Sequence, residues 1–194
     1  MLQCRKTVLS IIFILIAFNY SEVIGQETPR KNKISMVNIF EINYGVALGG
    51  LKGSDIKLSS VSNSFGLRFV SGQYLNENIS LGIGIGVDFY GKFTTAPLTV
   101  DARLAIPGDV VRVIFNPNIG YALGLDNSKG GFYMNPSIGL GITNRKKLVY
   151  LFSLGYRFQK QSTTYNQYKY YGYYGTFTEN VDLSLFTFGV GIEF

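Results

Sequence analysis

The sequence predicts an all-β chain, closed as an eight-stranded antiparallel up-and-down transmembrane β-barrel. Three observations carry that prediction. An apolar residue stands at every second position for about a strand length at a time, a period that no helix keeps. The positions between are small or polar, drawn from a chain with 23 glycines. Charged residues make up only 15% of the chain, against about 25% in an ordinary soluble domain.

Residues 1–25 read as an export signal: Arg5 and Lys6 precede an apolar run from Val8 to Phe18, and Val23-Ile24-Gly25 precede Gln26. This run of eleven residues, interrupted once by Ser10, is too short for a membrane-spanning helix, which needs about 20. The single cysteine, Cys4, lies before the apolar run and would leave with it, so neither a disulfide framework nor a thiol nucleophile is expected in the mature chain. Residues 26–33 form a polar leader, and the barrel is expected over 34–194.

The first strand is expected at about 34–48, with Met36, Phe40, Ile42, Tyr44, Val46 and Leu48 on one face and Glu41, Asn43, Gly45 and Ala47 on the other. The second, about 60–74, sets Phe65, Leu67 and Phe69 against Ser64, Gly66 and Arg68. In the third, 79–90, Leu81, Ile83, Ile85, Val87 and Phe89 alternate with Ser80, Gly82, Gly84, Gly86, Asp88 and Tyr90. The fourth, about 97–106, sets Leu98, Val100 and Leu104 against Thr99, Asp101 and Arg103. The fifth and sixth, about 110–124 and 132–143, contain Asn116-Pro117 and Asn135-Pro136. Proline has no ladder donor, so paired bulges or bends are predicted there. The seventh, about 148–160, and the eighth, about 181–194, complete the set. Between them, 75–78, 107–109 and 144–147 are short turns, whereas 49–59, 94–96, 126–131 and 161–180 are the remaining connections. Short turns at one end and mostly longer loops at the other fit a membrane barrel.

Size decides which face is outside. Eight strands enclose only enough room for side chains to fill. The face with Gly82, Gly84, Gly86, Gly139, Gly141, Gly189 and Gly191 fits inside, and the bulky apolar face is then left for lipid. A lipocalin-like soluble barrel is the chief rival, but its water-facing surface would be mostly glycine and serine. The Gly82-x-Gly84-x-Gly86 string has a period of two with no helix after it, so it is read as relief of crowding rather than a nucleotide loop.

With these strands, the signal and a final Phe186-x-Phe188-x-Val190-x-Ile192-x-Phe194 alternation, residues 34–194 resemble the small outer-membrane barrels of the OmpA/OmpX type, especially the outer-membrane β-barrel domain proteins of Bacteroidota. The resemblance implies an integral protein of a Gram-negative outer membrane. It also implies that Phe186, Phe188 and Phe194 form the signal read by the outer-membrane insertion machinery.

Candidate functional residues fall into two groups. The inward face carries four acids (Glu41, Asp88, Asp101, Glu193) and four bases (Arg68, Arg103, Arg112, Arg157), near-equal numbers that suggest a paired lumenal network. Counting from the turns places Glu41 near Arg68 and Asp88 near Arg103. This network is either a neutral polar plug that fixes register or a narrow ion or solute path. The second group is Tyr165, Tyr168, Tyr170, Tyr171, Tyr173 and Tyr174 in the last long connection, which either serve as an interaction surface or extend the hairpin and form an interfacial aromatic girdle.

The chain has no histidine, which excludes His-based acid, base or metal chemistry, and no cofactor is expected. The small barrels that act on lipid A or peptides use such residues, so the resemblance implies a non-catalytic protein. A net charge of +6 is scattered in short runs, with no basic stripe for nucleic acid. The expected partners are outer-membrane lipid, the insertion machinery and another envelope protein.

Overall fold

The computed structural model describes residues 35–48, 63–91, 93–108, 110–125, 128–144, 148–168 and 174–194, with backbone alone for Ser128 and residues 163–168 and 174–181. Eight long strands form the wall: β1 (Met36–Ala47), β2 (Asn63–Asn76), β3 (Ile79–Phe89), β4 (Thr94–Ile106), β5 (Val111–Gly124), β7 (Gly131–Thr143), β8 (Val149–Tyr168) and β9 (Tyr174–Glu193). A two-residue strand, β6 (Ser128–Lys129), adds to the side of β8. All pairings are antiparallel between neighbours, and β1 pairs with β9 to close the wall. No helix occurs among the described residues.

The register fixes the shape. Stepping from Asn38 across partners to Ser71, Ile83, Val100, Ile119, Met134, Phe158 and Ser184, the path returns beside β1 at Leu48, whose N–H donates to the Ser184 carbonyl. The circuit therefore climbs ten residues (48 − 38 = 10). At ~3.3 Å per residue and ~4.8 Å between strands, that climb tilts the strands by about 40°.

Alternation holds around the wall. Ile83, Leu98, Val100, Ile138, Leu154 and Val190 stand outside, each more than half exposed. Glu41, Arg68, Asp88, Asp101, Arg103, Arg157 and Glu193 are buried inside. The lumen is also less polar than the sequence suggests. Toward the end where β1 begins and β9 finishes, Val37, Ile39, Val70, Ile114, Val149 and Leu151 pack into an apolar plug. Toward the loop end, Tyr90, Phe93, Leu183 and Leu185 form a second apolar layer.

Several expectations are corrected. The prolines cause no bulge: partner numbers run unshifted past Pro117 and Pro136, and only the ladder is interrupted. The register shift lies instead between Tyr74 and Asn76, beside the Glu77-Asn78 turn. Thr94, Thr95 and Ala96 open β4 rather than connecting to it. The connection is the tight turn at 90–93, where Tyr90 N–H donates to the Phe93 carbonyl at 3.0 Å. Gly91 takes φ = 77° there, a conformation that side chains disfavour. At 161–180 the outcome is instead the extended-hairpin alternative, since β8 and β9 stay paired up to Tyr168 opposite Tyr174. Its run of Thr, Tyr and Phe suits a pleated hairpin.

Candidate functional site

The lumenal ions meet because of what separates them. Arg68 on β2 and Asp101 on β4 lie on either side of β3, where their register partners are Gly86 and Gly82. With Gly84 between, β3 offers no side chain to obstruct the guanidinium, and Arg68 Nη2 reaches Asp101 Oδ2 at 3.3 Å. A Cβ at Gly84 would lie 2.6 Å from Thr99 Oγ1 and 3.3 Å from Val70 Cγ2. The glycine string is thus the floor over which an ion pair crosses a strand.

Four ions close a ring at this level. Arg68 Nε donates to Glu41 Oε2 at 3.0 Å, Arg103 Nη2 to Glu41 Oε1 at 2.7 Å, and Arg103 Nε to Asp101 Oδ1 at 2.8 Å. Each carboxylate faces two arginines and each arginine two carboxylates. Asn118 Nδ2 adds hydrogen bonds to Thr99 Oγ1 at 3.1 Å and Asp101 Oδ2 at 3.2 Å. Removing two such ions from water is expensive, and the cost is offset only when the lone pairs and protons find partners. Here most do.

Two further clusters flank the ring. Toward the loops, Arg157 Nη1 pairs with Asp88 Oδ1 at 2.9 Å, and its guanidinium sits 5.5 Å from the centre of the Tyr133 ring. The Tyr90 hydroxyl, 3.3 Å from the same Nη1, donates to Gln159 Oε1 at 2.7 Å. Toward the end where β9 finishes, Arg112 pairs with Glu193, and Arg112 Nη1 donates at 3.1 Å to the hydroxyl of Tyr74, which itself hydrogen-bonds Glu193.

All eight charges named from the sequence therefore lie in the lumen. Glu41 meets Arg68 as expected. Asp88 does not meet Arg103: its partner is Arg157, while Arg103 is taken up by Glu41 and Asp101. Counting along turns finds partners on adjacent strands and misses contacts across the lumen. The phenol groups of Tyr74, Tyr90 and Tyr133 were also missed as network members. The available signal was parity, since large phenols stand on a face otherwise made of small residues. Phe186, Phe188 and Phe194 lie exposed on the outer wall. Tyr165, Tyr168 and Tyr174 are placed by their backbones in β8 and β9, but their side chains, and Tyr170, Tyr171 and Tyr173 entirely, lie outside the described residues.

The chemistry this permits is electrostatic and mechanical. Among the described residues each of the four lumenal acids is matched by a guanidinium, which stays protonated and cannot act as a base.

No protein-family model matches the chain, and no curated protein matches it. Among solved structures it is similar to Neisserial surface protein A, at 11% identity over 84% of this chain and 98% of that one, with a TM-score of 0.45. It is also similar to the outer membrane protein OprG from Pseudomonas aeruginosa, at 10% identity over 84% of this chain and 97% of that one, with a TM-score of 0.55. At that identity the likeness to OprG shows the fold: a closed eight-stranded antiparallel barrel shared with an outer membrane protein.

Proposed function

We propose that the chain is an integral outer-membrane β-barrel of a Gram-negative bacterium, non-catalytic, serving as a structural or interaction subunit through its wall and outer loops. One observation carries this reading: the barrel is inside out relative to a soluble one. Ile83 on the outer wall is 66% exposed while Arg157 inside is 1% exposed. In water the first would be costly as part of a continuous patch, and the second would be pointless. In a bilayer the apolar face meets acyl chains, the paired charges are kept away from them in the lumen, and a closed barrel pairs its backbone groups within itself. The dimensions agree. The 12 residues of β1, at ~3.3 Å each and ~40° of tilt, rise about 30 Å along the axis, close to the hydrocarbon thickness of a membrane.

The filled lumen favours a plug over a conducting path. Ile39 and Val70 are each 1% exposed in the terminal-end layer, and the ionic ring lies directly above them. On this reading the charges fix register and hold the tube closed. The outward Phe186, Phe188 and Phe194 would be read by the insertion machinery, and the Tyr165–Tyr174 hairpin would meet an envelope partner. The resemblance to small barrels of the OmpA/OmpX type, especially the outer-membrane β-barrel domain proteins of Bacteroidota, rests on the strand count, the export signal and the terminal alternation.

Two measurements test the proposal. The protein should fractionate with outer membranes, require detergent for extraction and migrate differently on gels before and after boiling; release into buffer without detergent would defeat it. Planar bilayers containing the folded protein should show no discrete conductance steps, and reproducible steps would favour the narrow path.

A further inference from the structure

Between the ionic ring and the apolar plug lies a small lumenal cavity, in which the centre of a water molecule could move over about 20 Å³. The plug residues Ile114 and Leu151 border it on one side and Glu41 and Arg103 on the other. Asn116, Ser137 and Ser153 complete a polar lining. Room for one water-sized sphere, itself about 10–15 Å³, is enough to hold a water, provided two to four polar partners surround it.

Asn116 supplies the unmet partner. Its Nδ2 is committed to the Ala102 carbonyl at 3.0 Å. Its Oδ1 is buried and receives no hydrogen bond from the protein, in a residue only 3% exposed. Ser137 is its register partner on β7, and Ser153 is the register partner of Gly139, which adds no side chain to the space. The strands thus bring one unsatisfied acceptor, two hydroxyls that can donate or accept, a carboxylate and a guanidinium around one water-sized volume.

We propose that the lumen binds a single structural water here, donating one hydrogen to Asn116 Oδ1 and engaging the Ser137 or Ser153 hydroxyl with another contact. The reading holds whether or not the barrel spans a membrane. A monovalent cation would find oxygen atoms, but it would sit beside Arg103 and behind a carboxylate already held by two guanidinium groups. Water carries no such repulsion. It also links Asn116, whose Nδ2 bridges the interrupted ladder at Pro117, to a space that Glu41 and Arg103 of the ring border.

Crystals of the full chain extracted in detergent provide the test. A fully occupied density peak within hydrogen-bonding distance of Asn116 Oδ1 and of one serine Oγ is expected. The peak should disappear in Ser153→Val, and independently in Ser137→Val, each of which removes a hydroxyl and fills the space; one variant that folds is sufficient. An anomalous peak at this position after soaking with Tl⁺ would overturn the proposal in favour of a cation. So would a site without density in the unaltered protein, or a peak that survives both valine variants.

Discussion

Pro117 on β5 is the register partner of Pro136 on β7, and the ladder between those two strands runs unbroken through the pair. The interruptions fall on the far sides, at 101–103 against 116–118 and at 135–136 against 156–157. An antiparallel strand points successive N–H groups alternately to its two neighbours. Both prolines therefore stand where the missing donor would have faced away from the other. Pro97 does the same on β4, where the break is with β3 and pairing with β5 continues. Proline is tolerated in mid-wall because each ring removes a donor from one side only.

The side chain of Asn116 replaces what Pro117 lacks. Ala102 stands opposite Pro117, and Asn116 Nδ2 donates to its carbonyl at 3.0 Å. Asn116→Ala should therefore destabilise the barrel by about 1–3 kcal/mol, the cost of an orphaned buried group. In Asn116→Ala with Pro117→Ala the backbone N–H returns, and a substantial part of that loss should be recovered. Urea unfolding of the four species in lipid vesicles checks this; equal losses in the single and double variants would show that the asparagine serves no such purpose.

How much of this was legible in the sequence follows from what each feature depends on. Strand parity follows from a period of two and needs no partner, so Glu41, Arg68 and Asp101 could be placed inside from the residue string alone. The ring itself depends on Gly82, Gly84 and Gly86 being carried between Arg68 and Asp101, which only the register shows. The apolar plug escaped because Val37, Ile39 and Leu151 are as greasy as their outward neighbours, which blurs alternation at the strand ends. The long hairpin stays one of two alternatives in the sequence, because tyrosine and threonine suit loops and strands alike, and only the pairing decides for it.

Breaking the ring on one side should be worse than dismantling it. Arg103→Met leaves Glu41 and Asp101 facing a single arginine, and removal of one partner from a buried pair costs about 3–5 kcal/mol. Adding Asp101→Asn removes the surplus charge and should restore more than half of the loss. Unfolding midpoints for the two variants give the comparison; a double variant that is less stable than Arg103→Met would contradict it.

Two glycine substitutions separate space from conformation. Gly84→Val places branched carbon where Thr99 Oγ1 and Val70 already crowd the position, beneath the Arg68 stem. Overpacking of this kind costs about 1–3 kcal/mol, and loss of the Arg68–Asp101 contact adds to it. Gly91→Ala meets nothing within 4 Å but inherits φ = 77°, so its penalty of about 1–3 kcal/mol is purely backbone strain. The first variant should perturb the chemical shift of the Arg68 side chain and the second should not.

The outer wall offers the sharpest separation of lipid from water. Ile83 lies in the middle of β3, with Val100 opposite, and is 66% exposed; Ile106 ends β4 beside the 107–110 turn and is 69% exposed. In water, arginine at either site would be equally harmless. In a bilayer the cost depends on depth, about 2–4 kcal/mol at the midplane and about 0–1 kcal/mol near the interface. Ile83→Arg should therefore lower stability in phospholipid vesicles by roughly ten-fold or more in the folding equilibrium, while Ile106→Arg changes it little. The same contrast should shrink in short-chain detergent, which surrounds the wall with a thinner and more adaptable apolar layer. If both substitutions proved equally benign in vesicles, the apolar face would not be meeting acyl chains at all, and the orientation of the whole barrel would have to be reconsidered.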